Sequence, residues 1–155
     1  MTSHEYITEI TGKMRPELRY DFKEDFSIWQ LRARTKLKEL LGMPLQKPKE
    51  DHFKISEHIL REELEVIRFS FQSEEGYTVP CTLMRKVSLQ GVAPLVICLQ
   101  GHSTGMHISL GEIKYTSDSQ CIAGGRDFAV RAAREGMVAI AVEQRYMGTR
   151  GSNNG

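Results

Sequence analysis

From Val87 to Gly111 the chain carries no Asp, Glu, Lys or Arg. Within that stretch Pro94–Leu99 reads Pro-Leu-Val-Ile-Cys-Leu, apolar at every position. An alternating strand can leave one face in water, whereas a continuous apolar run has no polar side to turn outward and asks for cover on both faces. A second such run, Met137–Val142, follows a helical pattern over Gly125–Glu135, with Phe128, Ala129, Ala132 and Ala133 on its inner side and Gly136 as its stop. Strand, long loop, helix and strand make a βαβ unit, so the two apolar strands are expected to run parallel with a right-handed crossover.

The charge lies elsewhere. Residues 1–75 hold 13 of the 21 basic and 15 of the 20 acidic residues, so the first half is mostly solvated surface. Residues 22–41 read as an amphipathic helix with Phe22, Phe26, Trp29, Ala33, Leu37 and Leu40 on one face, ended by Gly42 and Pro44. Trp29 is expected to dock this helix on the rest of the domain, and Pro44–Asp51 reads as a linker. Leu64–Gln72 and Tyr77–Val87 alternate like strands and are joined by Ser73-Glu74-Glu75-Gly76, an antiparallel hairpin with one wet face. Pro80 lies out of phase with the apolar set and suits an edge or bulged strand. The expected class is α/β: an N-terminal helix and antiparallel hairpin leading into a parallel βαβ unit of a mixed, mostly parallel sheet.

Composition narrows the function. At 155 residues, 40% apolar and 26% charged, the chain has the size and balance of one globular domain. No apolar run approaches the roughly 18 residues of a membrane span. Met1-Thr2-Ser3-His4-Glu5 lacks the features of a secretory signal. A net charge of +1 gives no support to nucleic-acid binding. Cys81, Cys98 and Cys121 are odd in number and lack metal-like spacing, which fits free thiols in a reducing, cytoplasmic setting. Neither a membrane nor a nucleic-acid partner is expected.

In open α/β sheets reactive loops lie beyond the carboxyl ends of the parallel strands. Here those loops are Gln100-Gly-His-Ser-Thr-Gly105 and Glu143-Gln-Arg-Tyr-Met-Gly148. Gly101-His102-Ser103-Thr104-Gly105 matches G-x-S-x-G, the pattern that exposes a nucleophilic serine between a strand and a helix. Two features argue against Ser103 as nucleophile. The chain reads as irregular from Met106 to the helical pattern at Gly125, and no histidine follows His107, so the order Ser, acid, His is missing.

The order of elements and the two loops resemble the start of an α/β-hydrolase domain, in the dienelactone-hydrolase, acetyl-xylan-esterase and prolyl-oligopeptidase-like branch. The resemblance covers residues 64–151, and less specifically the preceding helix. It implies that the backbone N–H of His102, after Gly101, forms half of an oxyanion hole, with Gln100, Gly101, Ser103, Arg145 and Gly148 supporting the loops. Gln100 stands where the family usually has histidine, and Tyr146 where glycine is frequent. Arg145 reads as a structural arginine that pairs a carboxylate or loop carbonyls, with Glu143 able to orient it. The resemblance also places the serine, acid and histidine of the triad after the fourth strand. Residues 1–50 then form a helical segment and linker, and 51–155 the N-terminal half of the hydrolase domain. On this reading the sequence stops before the nucleophile elbow, the isolated chain does not catalyse, and it self-associates through an open strand. The expected substrate of the complete protein is a small ester or other acyl compound. No cofactor and no metal are expected.

Three other readings stay open at this stage. A nucleotide-binding βαβ domain would use Glu143 on a ribose hydroxyl, although no G-x-G-x-x-G is present. A metal site could draw on His102, His107 and Glu112 or Cys121, although the five-residue histidine spacing suits neither a helix nor a strand face. A non-enzymatic interaction module would need no triad.

Overall fold

The computed structural model describes residues 1–43, 46–101 and 104–151. Its sheet contains a strand that the sequence pattern misses. β1 (Lys54–Arg61) precedes the expected hairpin of β2 (Leu64–Glu74) and β3 (Tyr77–Lys86), and pairs with β2 from Lys54↔Ser70 to Arg61↔Leu64. Polar and charged residues fill much of β1, and no residue in it is buried, as suits an edge strand. Its turn, Glu62-Glu63, lacks the Gly or Asn that usually marks a tight hairpin, and Glu62 adopts φ 54°. Arg134 grips this turn from outside, with Nη2 2.6 Å from Glu62 Oε2 and Nε 3.0 Å from Glu63 Oε1.

β4 (Leu95–Cys98) and β5 (Val138–Val142) are the two apolar runs, and they pair in parallel from Leu95↔Val138 to Cys98↔Ala141. The strand order is β1-β2-β3-β5-β4. The α/β class and the mixed sheet are as expected, but the balance of pairings is corrected. Three of the four pairings are antiparallel, because β1 extends the hairpin into a meander and β3 meets β5 antiparallel. β3 is therefore internal. Pro80 is tolerated there because it sits beyond the last rung to β5, Cys81↔Val142, and uses only its carbonyl, which accepts the Glu143 N–H at 3.0 Å.

Three short helices link β4 to β5: α3 (Met106–Ser109), α4 (Asp118–Ala123) and α5 (Phe128–Arg134). The first two correct the expectation of an irregular stretch after Met106. Each is too short to show a 3.6-residue apolar period. α5 buries Ala129, Val130 and Ala133, while Phe128, expected inside, is exposed at the helix start. Its alanines share a core with Ala139 and Ala141 of β5, together with Leu64, Val66, Met84, Cys98 and Leu110. Leu95 and Ile97 of β4 are 59% and 61% exposed, against the expectation of cover on both sides.

Residues 1–45 form a separate compact unit. α1 (Ser3–Lys13), which the sequence reading misses, starts with a reciprocal cap in which Thr2 Oγ1 accepts the Glu5 N–H and Glu5 accepts the Thr2 N–H. α2 (Phe26–Leu40) begins later than expected because the Asp25 carboxylate caps it, accepting from Ser27 N at 2.9 Å and Ile28 N at 3.2 Å. Trp29 packs on Tyr20 and Phe26 and donates from Nε1 to Leu18 O at 2.8 Å, which ties the preceding segment to α2. Neither helix has a buried residue. No helix among the described residues is long and apolar enough to cross a membrane.

Candidate active site

The loops that leave β4 and β5 at their carboxyl ends are joined by one buried acid. Glu143 follows the last residue of β5 and is 1% exposed. Its Oε1 accepts the Met106 N–H at 2.9 Å, and Oε2 accepts the Thr149 N–H at 3.2 Å and the Thr149 hydroxyl at 3.3 Å. Its own carbonyl accepts from Arg150 Nη1 at 2.7 Å. A carboxylate is suited to this junction because it offers only acceptors, and every group around it is a donor. The nucleotide reading would need Glu143 at a ribose hydroxyl, and these protein donors occupy it instead.

Two glycines make the junction possible. Gly148 has φ 49°, and a Cβ there would overlap the Glu143 carboxylate. Gly105 caps the start of α3, and a Cβ on it would stand 2.8 Å from Gly148 Cα and 2.8 Å from His107 Nδ1. Gly101 is different, since a Cβ there meets nothing within 4 Å. The Gly101 carbonyl accepts from Thr104 Oγ1 at 2.7 Å. His102 and Ser103, the expected oxyanion donor and its neighbour, lie outside the described residues.

Gln100 supports the loop as a side chain and as a backbone group. It is buried, and its Nε2 donates to Ser109 Oγ and to Arg126 O at 3.4 Å. Its carbonyl accepts from Gln144 Nε2, so the β5 loop also reaches across to the β4 loop. Arg145 pairs Glu74 and lies over the Tyr77 ring, with Cζ 4.3 Å from the centroid. Arg150 lies over the same ring at 4.2 Å. Glu143 does not orient Arg145, which corrects that expectation, because its carboxylate is turned to Met106 and Thr149. Tyr146, at the position where the resemblance has glycine, adopts φ 61°, a conformation that favours glycine.

In the sequence His107 stands out only as a candidate metal ligand. The structure places it in a buried pair, with Nε2 3.1 Å from Asp118 Oδ2. The same oxygen accepts the N–H groups of Lys114 and Tyr115, each at 2.8 Å. Burial pushes the Asp118 carboxyl up, but these N–H donors and His107 outweigh it and hold the group below its usual value. Glu112, one of the alternative ligands beside Cys121, is taken by Arg68 and by Arg61 at 3.7 Å. Among the described residues no group of three or more His, Cys, Asp or Glu is placed to hold a metal ion. Burial raises the Cys81 thiol to about 11 and shifts Cys98 the same way, so both stay protonated at neutral pH. A cavity of about 230 Å³ lies between Arg61, Leu64, Leu110, Asp127, Val130 and Arg134. It is bounded by the first residue of β2 and the last of α5, and includes none of the loop residues above.

A mixed sheet with α5 on one face has its loops cross-tied at the carboxyl ends of the parallel strands, where open α/β sheets place their reactive groups. The chain belongs to the Abhydrolase family, whose model matches residues 1–154, and so to the α/β-hydrolase superfamily. Its fold is similar to that of a candidate acetyl xylan esterase from Bacteroides fragilis, with a TM-score of 0.78 and 16% identity over 98% of this chain and 40% of that one. A cold-adapted esterase from an Arctic intertidal metagenomic library, solved with bound PEG, aligns at TM-score 0.42 and 19% identity over 61% of this chain and 34% of that one. The chain thus spans about 40% of the length of the Bacteroides protein. No curated protein matches it.

Proposed function

We propose that these residues supply the oxyanion-hole loop of a serine-dependent hydrolase of carboxylic esters or related acyl compounds, in the dienelactone-hydrolase and acetyl-xylan-esterase-like branch. The observation that carries this reading is the junction at Glu143, which holds the loop after β4 to the loop after β5 through the N–H groups of Met106 and Thr149. Acyl transfer puts negative charge on a former carbonyl oxygen, and a donor that is already fixed in place stabilises it by roughly 3–4 kcal/mol. In this reading the donor is the backbone N–H of His102. The side chain at that position is free to vary, and Gln100 replaces the family histidine because its amide can brace Ser109 and Arg126.

The nucleophile, acid and base come from residues other than these. After Ser103 the chain holds one histidine, His107, and it precedes Asp118 and Asp127. The 155 residues alone are therefore expected to leave short-chain aryl esters untouched, with Ser103→Ala indistinguishable from the parent. Serine-dependent turnover by the isolated chain, lost in Ser103→Ala, would overturn this.

The oxyanion role has its own test in the whole hydrolase. Proline at position 102 removes the N–H, whereas His102→Ala keeps it. Proline is expected to abolish turnover and alanine to have a mild effect, with folding of both verified by circular dichroism. Equal, small effects would remove the assignment.

A further inference from the structure

The loop after β4 is pinned at its exit by a circuit of buried groups, one of which has no part in the reading above. His107 is buried in α3, and its Nε2 faces the Asp118 carboxylate at 3.1 Å. Asp118 is fixed in turn by the Lys114 and Tyr115 N–H groups. A carboxylate only accepts, so Nε2 is the ring nitrogen that carries the proton and Nδ1 is the far edge. That edge lies against Gly105, whose backbone leaves no room for a Cβ between Nδ1 and Gly148 Cα. Gly148 abuts the Glu143 carboxylate, and Glu143 holds the Met106 N–H. Met106 joins Gly105 to His107, so the circuit closes on itself.

Nδ1 is buried and has no hydrogen-bond partner among the described residues. An apolar ring would fill the same space without that cost. What an apolar ring lacks is a tether, since a carboxylate on one edge fixes the rotation of the imidazole. We propose that His107 and Asp118 form a positioning pair for the oxyanion loop: Asp118 sets the rotation of the ring, and the ring sets where Gly105, the end of that loop, can lie. This rests on the reading that the loop supplies the oxyanion donor. Neither residue touches substrate in this scheme.

Two variants test it. His107→Phe keeps a ring and removes the tether, and Asp118→Ala removes the tether and keeps the imidazole. In the 155-residue chain, hydrogen–deuterium exchange in peptides spanning residues 99–108 is expected to quicken by about tenfold or more in both, with β2 and β3 peptides unchanged. In the whole hydrolase kcat is expected to fall by about 10- to 100-fold with KM within about twofold, since a loop misplaced by about 1 Å loses that much rate. Exchange that rises equally in β2 and β3 would mean that the pair merely supports the fold and would overturn the proposal. Unchanged exchange and unchanged kcat would overturn it too, and a clear contrast between proline and alanine at position 102 would then leave the oxyanion reading standing. Faster exchange in 99–108 with no such contrast would instead remove the oxyanion reading, and with it the catalytic half of the proposal.

Discussion

β4 and β5 read alike in the sequence and lie side by side in the sheet, yet the structure treats them differently. β5 has β3 on one side and β4 on the other, and its Ala139 and Ala141 lie in one core with Ala129 and Ala133 of α5. It runs directly into Glu143, whose side chain and backbone bind four other residues. Among the described residues β4 pairs with β5 alone, and it leads to Gly101, where a Cβ would meet nothing within 4 Å. Apolar content thus states what a strand is able to bury. The two alanines of β5 lie under α5 with Cys98 of β4 beside them, while Leu95 and Ile97 of β4 face the other way.

The contrast can be broken most directly at the end of β5. Glu143→Ala would leave the Met106 and Thr149 N–H groups and the Thr149 hydroxyl without an acceptor, at about 1–3 kcal/mol for each group that stays buried. A total loss of roughly 3 kcal/mol or more is expected in urea unfolding. A loss below about 1 kcal/mol would show that the end of β5 is no firmer than that of β4. Gly105→Ala comes next, at about 1–3 kcal/mol, because the new methyl meets the Gly148 backbone, which cannot swing aside.

Acid should loosen the β4 loop from the other side. The Asp118 carboxyl is held below its usual value in the native state, so its contribution is complete above the unfolded-state value of about 4 and is lost as pH falls through the lower native one. Unfolding free energy should therefore drop more steeply below about pH 4 in the parent than in Asp118→Asn, which keeps an acceptor but no charge. Parallel curves would count against this account.

Smaller effects on stability belong to β4 itself. Its open edge and exposed Leu95 and Ile97 should make the isolated chain self-associate, and Ile97→Lys should reduce that with little change in stability. Light scattering across a concentration series checks this, and a monomer at every concentration would contradict it. Gly101→Ala should shift stability by no more than about 0.5 kcal/mol, since its Cβ meets nothing. If the same change lowers turnover in the whole hydrolase, the glycine serves the approach of substrate rather than the fold.

The elements that carry a strong period or a continuous apolar run were legible in the sequence: β2, β3, β4, β5, α5 and most of α2. β1 was not, because its residues are largely polar and its turn is Glu-Glu rather than a glycine turn. α3 and α4 were missed because a single turn shows no period. At the site, the position of the two loops followed from the strand ends. Glu143 was seen but given the wrong neighbour, since local order suggested Arg145 while the fold delivers Met106 from 37 residues away. His107 and Asp118, eleven apart, had no signal of their own, because their pairing depends on how α3 and α4 meet.

The grip of Arg134 on the Glu62-Glu63 turn has a consequence for the order of folding. The β1–β2 hairpin involves near neighbours in the chain and can form early, whereas Arg134 reaches back over 71 and 72 residues and can act only once α5 has docked. The contact therefore belongs to the late side of the folding barrier. Removing it with Arg134→Ala should leave the refolding arm of a chevron plot in place and raise the unfolding arm, so that the clamp governs how long the domain stays folded rather than how fast it gets there.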